Sequence, residues 1–277
     1  MTSPVPVPDT TAGIPTLLGV PYDASSSFRR GAAAAPPLIR EALHSPARNL
    51  WTERLADLGA PGALGDAGDI DLSVGADARE TIEGAVRGFT QSRRRPIALG
   101  GDHSITYPIL RALRPLHPDL TLLQFDAHPD LYDEFEGDRF SHACPFARIL
   151  EERLTDRLVQ VGIRTTTGHQ RAQAVRFGVE VIDMEAWVSG QRPRVSGPVY
   201  ISIDIDAIDP AYAPGVSHRE PGGLTVRDIV GVLQELAVPI VGADVVELNP
   251  TQDPLGLTAP VCAKLVKELA GAMGAGS

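Results

Sequence analysis

The sequence contains very few cysteines and lysines, and each shortage argues against a class of chemistry. Its 277 residues include two cysteines, Cys144 and Cys262, without paired spacing, so no disulfide framework or zinc ribbon is expected. Cys144 lies close to His142 and could be a thiol nucleophile, but a small buried residue is the favoured interpretation. Lysine occurs only as Lys264 and Lys267, which removes the Gly-Lys-Ser/Thr of a P-loop and argues against Schiff-base catalysis.

Long apolar runs and an excess of positive charge are also missing. No stretch of about 18 apolar residues is present, so no membrane-spanning helix is expected. The formal net charge is −10 at pH 7, which argues against nucleic acid or an anionic membrane as a partner. Residues 1–13 are rich in proline and lack a basic leader. We therefore predict a mobile N-terminal lead at 1–13 and one catalytic domain at 14–273, in a cytoplasmic protein.

Apolar runs and amphipathic patterns alternate along the rest of the chain. We predict strands at 16–20, 64–71, 97–99, 120–125, 158–164, 180–183, 199–203 and 240–246. The predicted helices are one that starts near residue 36 and those at 76–90, 145–153, 168–177, 225–236 and 257–273. This order predicts an α/β fold: a single domain of three αβα layers around a central parallel sheet. Ligands of such sheets bind at the carboxyl ends of the strands.

Three possible metal ligands follow the strand at residues 120–125. Asp126, His128 and Asp130 stand at alternate positions, so in extended backbone their side chains lie along one side. Two carboxylates and an imidazole that converge in this way lose water and repel one another unless a cation lies between them. For this stretch taken alone, the alternative is a polar loop whose acids cap the next helix.

Two further strands end in residues of the same kind. Residues 199–203 are followed by Asp204 and Asp206, which share one face among isoleucines, where neighbouring aspartates need counter-charge. Residues 97–99 lead through two glycines into Asp102 and His103, and Asp102 could orient the histidine. The candidate ligands are therefore His103, Asp126, His128, Asp130, Asp204 and Asp206. This set suits a pair of divalent ions such as Mn²⁺ better than a zinc ion held by thiolates.

The three stretches carry sequence motifs: Gly-Gly-Asp-His-Ser at 100–104, Asp-Ala-His-Pro-Asp at 126–130 and Ser-Ile-Asp-Ile-Asp-Ala-Ile-Asp-Pro at 202–210. In this order they resemble the signature of the ureohydrolase family, which contains arginase, agmatinase and related guanidino hydrolases. The resemblance covers nearly the whole chain. It implies an arginase-like fold, a homotrimer or homohexamer, and two Mn²⁺ ions per chain that turn water into a nucleophile at neutral pH.

The resemblance also implies a role for each site residue. One ion would be held by His103, Asp126, Asp130 and Asp204, and the other by Asp126, His128, Asp204 and Asp206. Asp130 would further orient the attacking water and the leaving amine. His142 resembles the family's proton-shuttling histidine, although Ala143 stands where the family usually has glycine. Glu247 resembles the glutamate that pairs with the substrate's guanidinium. The alternatives are an exposed loop histidine and a glutamate that caps a helix.

The expected substrate is a small cationic guanidino compound, with agmatine, which an agmatinase cleaves to putrescine and urea, placed first. Four acidic residues lie between Asp130 and His142: Asp133, Glu134, Glu136 and Asp138. They would suit a substrate with a second amine; the alternative is that they belong to a solvated loop. Arg139 could instead pair with a carboxylate, so guanidinobutyrate, guanidinopropionate, guanidine, arginine and formiminoglutamate stay open. The remaining alternatives are a catalytically silent binding protein of the same fold and a zinc deacetylase-like hydrolase.

Overall fold

The computed structural model describes residues 13–73 and 77–275, so the predicted lead, apart from Gly13, lies outside the described residues. The strands are β1 (Ile14–Gly19), β2 (Gly65–Asp69), β3 (Arg94–Leu99), β4 (Thr121–Phe125), β5 (Arg157–Ile163), β6 (Glu180–Asp183), β7 (Val199–Asp204) and β8 (Ile240–Val246). The α-helices are α1 (Ala35–Leu43), α2 (Ala78–Gln91), α3 (Thr106–Leu113), α4 (Pro145–Glu151), α5 (Gly168–Phe177), α6 (Met184–Val188), α7 (Val226–Glu235) and α8 (Thr258–Ala275).

In the described ranges the strands form one eight-stranded sheet in the order β2-β1-β3-β8-β7-β4-β5-β6. Every neighbouring pair is parallel. Strands β3 and β4 are consecutive in the chain, yet β8 and β7 lie between them. The predicted fold class, a single α/β domain with a central parallel sheet, is confirmed.

Helices cover both faces of the sheet, and alternate strand residues point to one face or the other. Leu17 and Leu123 belong to a core cluster with α1, α7 and α8, whereas Leu18 and Leu122 belong to a second cluster with α2, α3 and α4. Full burial of one such leucine contributes about 1.5–3 kcal/mol relative to exposure. Because both faces are covered, the edge at the strand ends is where polar side chains can converge.

Local signals set several helix boundaries. The side chain of Thr225 accepts the Asp228 N–H and Asp228 reciprocates, forming a capping box at the start of α7. Helix α5 begins with the same device, from Thr167 and Gln170, and ends at Gly178 with φ +67°, a left-handed conformation that glycine adopts without strain. No helix in the described part of the chain combines the length and apolar character that crossing a bilayer requires.

Candidate metal centre

Four neighbouring strands, β3, β8, β7 and β4, carry the predicted site residues at their carboxyl ends. His103 follows β3, Asp126 follows β4, Asp204 is the last residue of β7 and Glu247 follows β8. Each of these residues is at most 5% exposed. The parallel sheet therefore brings together residues that are as much as 144 positions apart in the chain.

Three carboxylates surround one nitrogen of His103. Its Nδ1 lies 3.1 Å from Asp126 Oδ2, 3.2 Å from Asp130 Oδ2 and 3.1 Å from Asp204 Oδ2. Within the described residues this buried nitrogen has no partner that meets hydrogen-bond geometry. A buried imidazole nitrogen that is directed at carboxylate oxygens without bonding to them fits a metal ligand.

The other nitrogen of His103 is held by a chain of hydroxyl groups. Nε2 lies 2.9 Å from Ser202 Oγ, and Ser202 donates to Asp244 Oδ1 at 2.6 Å. Asp244 Oδ2 accepts from the hydroxyls of Tyr200 and Thr106, both at 2.8 Å. With its hydroxyl proton committed to Asp244, Ser202 can only accept from Nε2–H, which leaves the Nδ1 lone pair for a cation.

The role suggested for Asp102 needs correction, because its carboxylate does not orient the His103 ring. Asp102 Oδ1 accepts from Ser104 N–H at 3.1 Å, and Oδ2 accepts from Ser25 N–H at 3.0 Å. Asp102 thus anchors the loop after β1. No role was predicted for Ser202, although it lies in the third motif, and no pattern in the local sequence distinguished Asp244 as a site residue.

A second group of ligands shares Asp126 with the first. Asp126, His128 and Asp206 offer ligand atoms within 4.8 Å of one another, as do His103, Asp126 and Asp130. His128 Nδ1 lies 3.0 Å from Asp206 Oδ2 and 3.6 Å from Asp126 Oδ1. The carboxylate of Asp126 is therefore placed between two possible ion positions.

The pKa values of Asp204 and Asp130 are raised beside His103. Burial and the nearby Asp206 and Asp126 raise the pKa of Asp204 well above its ordinary value. Burial and Asp126 raise the pKa of Asp130 to about 6. These shifts reflect several carboxylates that share one buried place, where the pKa values of His103 and His128 are raised in turn by the neighbouring aspartates. Oxygen-rich carboxylate sets with histidine suit hard or borderline divalent ions, so the residues fit the pair of metal ions that the resemblance implies.

His142 and Glu247 form a buried pair beside this cluster. His142 Nδ1 lies 2.9 Å from Glu247 Oε1, which also accepts the His103 backbone N–H at 2.9 Å. Burial acts to lower the pKa of His142, but the charge and hydrogen bond of Glu247 outweigh it and raise the pKa to about 9. The pair is therefore an imidazolium and a carboxylate at neutral pH, neither an exposed loop histidine nor a helix cap.

Backbone strain accompanies the site. Asp130 has φ +50° and Glu247 has φ +65°, in a left-handed region that costs non-glycine residues of order 1–3 kcal/mol. At both positions the strained backbone carries a carboxylate that lies in the site. The surrounding structure must offset the free-energy cost of this conformation, and strained backbone of this kind is found preferentially at functional positions.

A cavity of about 270 Å³ opens onto this cluster. Of the predicted residues, those that line it are His128, Asp130, His142, Asp204, Asp206 and Glu247; His103 and Asp126 are fully buried and do not. Sequence reasoning missed other lining residues: Ser27, Tyr132, Phe135, Thr165, Thr167, Gln170, His218 and Glu220. No arginine or lysine is among the described residues of this lining.

The acidic side chains of residues 133–138, which precede His142, do not line the cavity, although Phe135 between them does. Asp133 accepts from the Gln173 amide at 2.6 Å, while Glu134, Glu136 and Asp138 are exposed. Arg139 lies 3.1 Å from Glu151 on the surface. The feature that favoured a substrate with a second amine is thus a solvated loop held against α5, and Arg139 is not placed to bind a substrate carboxylate.

Two further residues have structural positions. Asp209 accepts from the backbone N–H groups of Ala211 and Gly222 at 2.8 and 2.6 Å, as expected of a turn residue. The Cys144 thiol is buried, and burial and Asp130 raise its pKa to about 12. It therefore has negligible thiolate at neutral pH and does not suit a nucleophile.

A parallel α/β sheet with clustered carboxylates and imidazoles at its strand ends defines a class of metal-binding α/β proteins. The Arginase family model matches residues 15–271, and the chain belongs to that family of ureohydrolases. Arginase 1, mitochondrial, of Arabidopsis thaliana is 46% identical over 273 residues, covering 92% of this chain and 80% of the relative. Guanidinopropionase of Pseudomonas aeruginosa is 38% identical, covering 91% and 84%. The solved arginase from Medicago truncatula superposes with a TM-score of 0.89 at 44% identity, covering 95% and 88%.

These comparisons correct two predictions. Agmatine as the first substrate is wrong, because the relatives near 46% identity and the structural neighbour at TM-score 0.89 are named arginases. The prediction of a cytoplasmic protein is wrong as well, because these plant relatives are named mitochondrial. That prediction depended on the composition of residues 1–13, which does not decide where a protein is located.

Proposed function

We propose that the protein is an arginase, which hydrolyses a C–N bond of the guanidino group of arginine and releases ornithine and urea. The observation that carries the proposal is the 46% identity to a named arginase over 92% of the chain. The site supports it, because its donors could hold two Mn²⁺ ions. We assign the first ion to His103, Asp126, Asp130 and Asp204, and the second to Asp126, His128, Asp204 and Asp206.

The guanidinium end of the substrate is assigned to Glu247. Its bonds to His103 N–H and His142 Nδ1 both use Oε1, so Oε2 is available to a planar guanidinium. Bound metal ions would contribute to the chemistry by lowering the pKa of a coordinated water molecule. His142, which is charged at neutral pH beside Glu247, would give a proton to the departing amine, and Asp130 would orient the reacting groups.

The other end of arginine carries both a carboxylate and an amine, and the cavity wall offers groups for each. Thr165, Thr167, Gln170 and Tyr132 line it with neutral hydrogen-bonding groups. Gln170 uses Oε1 in its capping box, so its amide N–H groups are not committed there and could bind a carboxylate. Glu220 also lines the cavity and is the group that we assign to the α-ammonium.

Urea release after Mn²⁺ loading tests which guanidino compound is the substrate. The panel is arginine, agmatine, guanidinobutyrate, guanidinopropionate and guanidine, with formamide release from formiminoglutamate measured in parallel. We expect the highest kcat/KM for arginine and two manganese ions per chain by metal analysis. A higher kcat/KM for any other compound would overturn the arginase assignment, and no product from any of them would overturn the ureohydrolase activity.

Glu220→Gln separates arginine from a substrate without an α-amine. We expect the variant to raise KM for arginine by about tenfold, the usual worth of a charge-assisted hydrogen bond, and to leave KM for guanidinopropionate unchanged. Equal effects on both compounds would remove Glu220 from the α-ammonium contact.

The homotrimer or homohexamer implied by the family resemblance stays a prediction. Sedimentation should give a mass three or six times that of the 29.4 kDa chain. A mass near that of one chain would contradict it.

A further inference from the structure

Ser27 holds the nitrogen of His142 that faces away from Glu247. Ser27 Oγ lies 2.9 Å from His142 Nε2, while His142 Nδ1 lies 2.9 Å from Glu247 Oε1. Both ring nitrogens of His142 therefore have a partner at hydrogen-bond distance. Two such contacts on opposite sides of the imidazole fix its rotation as well as its position.

The Ser27 contact belongs to a loop that is itself anchored to the site. Asp102 Oδ2 accepts the Ser25 N–H at 3.0 Å, and Ser25 C=O accepts the His142 N–H at 3.1 Å. Farther along the loop, Asp23 Oδ2 accepts the Gly31 N–H at 2.7 Å. On the N-terminal side of Ser27, the backbone of Ser25 is hydrogen-bonded to His142, the residue that the Ser27 hydroxyl contacts. On the C-terminal side, Gly31 is hydrogen-bonded back to Asp23 at the start of the loop.

A hydroxyl is suited to a nitrogen that changes its protonation state. Because Nδ1 faces the Glu247 carboxylate, it keeps its proton in both the neutral and the charged imidazole, and Nε2 is the nitrogen that gains or loses one. Ser27 can accept from Nε2–H before proton transfer and, after rotation of its O–H, donate to the bare Nε2 afterwards. Because Nε2 carries a single proton, Ser27 and the leaving amine have to share it during the transfer, and the hydrogen bond to Ser27 is available before and after that step.

We propose that Ser27 is a positioning residue for His142, which keeps Nε2 aligned in both protonation states and thereby supports proton transfer to the leaving amine. This inference rests on the proposed function, because it takes His142 as the proton donor. Ser27 also lines the cavity, so a direct contact with substrate is the competing role that the experiment has to separate.

Three variants separate these roles. Ser27→Ala removes the hydroxyl, and Ser27→Thr keeps it. Ser26→Ala is the matched control, because it removes a neighbouring hydroxyl whose contact with Asp102 is long, at 3.4 Å. We expect Ser27→Ala to lower kcat for arginine by about tenfold with KM within about twofold, the scale of one lost hydrogen bond to a charged group. Ser27→Thr and Ser26→Ala should stay within about twofold of the wild type in both constants.

A second measurement does not depend on catalysis. Nitrogen-15 NMR of the metal-free protein reports hydrogen bonding at the His142 ring nitrogens, and Ser27→Ala should shift the Nε2 resonance whereas Ser26→Ala should not. A change in KM alone would show that Ser27 contacts substrate instead, and an unchanged kcat with an unchanged Nε2 resonance would overturn the proposal. If the wild type itself releases no product, the proposed function is wrong, and the Nε2 comparison then decides whether Ser27 holds the ring.

Discussion

Two carboxylate clusters among the described residues, one at an exposed glutamate and one buried at the strand ends, differ in what neutralises them. The Glu53 cluster consists of Glu53, Arg227, Lys264 and Glu268. Arg227 donates to both oxygens of Glu53, and Lys264 lies 2.8 Å from Glu53 and 2.6 Å from Glu268. The strand-end cluster consists of His103, Asp126, Asp130 and Asp204, and its carboxylates converge on a single imidazole nitrogen.

The difference indicates which cluster is structural. Hydrogen bonds from Arg227 and Lys264 hold the pKa of Glu53 well below its ordinary value, so that carboxylate is charged and satisfied by the protein itself. In the strand-end cluster the pKa of Asp204 is raised by burial and by neighbouring aspartates. The carboxylates of the Glu53 cluster are neutralised by an arginine and a lysine, which are not metal ligands, whereas the three carboxylates of the strand-end cluster meet at a histidine nitrogen that could bind a metal ion.

The largest effect is expected from Asp204→Asn. The change removes a proposed ligand of both ions, so bound manganese should fall below two per chain and urea release should fall to background. The same change removes a buried charge near Asp206 and Asp126, so the Tm of the metal-free protein should stay equal or rise. Metal analysis checks the expected loss of manganese, and calorimetry of the chelated protein checks the expected Tm. A lowered Tm in the metal-free variant would contradict the view that the strand-end cluster is not a structural one.

His142→Asn should lower turnover by roughly 10²–10⁴-fold, the usual worth of a positioned acid or base. His142 touches Glu247 and Ser27 rather than the proposed ligands, so both ions should stay bound. His128→Asn is the companion, since it removes a proposed ligand and should lower the metal content, with partial recovery of activity at high Mn²⁺. Loss of metal from the His142 variant would show that the ligand assignment is wrong.

Glu247→Gln should lower the pKa of His142, measured by NMR in the metal-free protein. The pKa is about 9 because Glu247 outweighs a burial effect of opposite sign. Without that charge, burial should move it well below 9, toward or below the ordinary 6.5. While Glu247 is ionised, protonation of His142 stabilises the fold; this contribution is complete below pH 6.5 and is lost as the pH rises through about 9. A pKa unchanged by the substitution would assign the shift to other carboxylates.

The smallest effect is expected from Glu53→Gln, the counterpart of the first variant. Partly exposed ion pairs stabilise proteins weakly, so Tm should fall by no more than about 2–4 °C. The metal content and kcat should not change, because Glu53 contacts α7 and α8 instead of the strand ends. A loss of activity larger than the loss of folded protein would contradict the structural role.

The sequence predicts which candidate ligands come together because they stand at or just after strand ends, where the sheet topology determines their position. Asp126, His128 and Asp130 follow one apolar run, and a parallel sheet places such ends on one edge. Ser27 and Thr165 lie in loops, whose path depends on distant anchors such as Asp102. Helix α3 was not predicted; it is short, and seven of its eight residues are buried.

The error about agmatine has a related physical cause. Composition showed that residues 133–138 are acidic, but the direction of a loop side chain is set by what the loop packs against. Here the hydrogen bond from Gln173 to Asp133 and the bonds from buried Arg148 to the carbonyls of Asp133 and Arg139 hold the segment. The charge of these side chains therefore does not show whether they face the cavity; their exposure to solvent does.

The position of β7 and β8 between β3 and β4 has a consequence for how the protein is made. During synthesis from the N-terminus, β3 with His103 and β4 with Asp126 emerge first, yet neither is the other's neighbour. The sheet can be completed only after residue 246, when the last two strands enter at its middle. A ribosome-bound chain that ends before β7 therefore presents two open sheet edges and four of the six proposed ligands. Because unpaired strand edges are prone to wrong pairing, we expect the nascent chain to need protection until β7 and β8 have been translated.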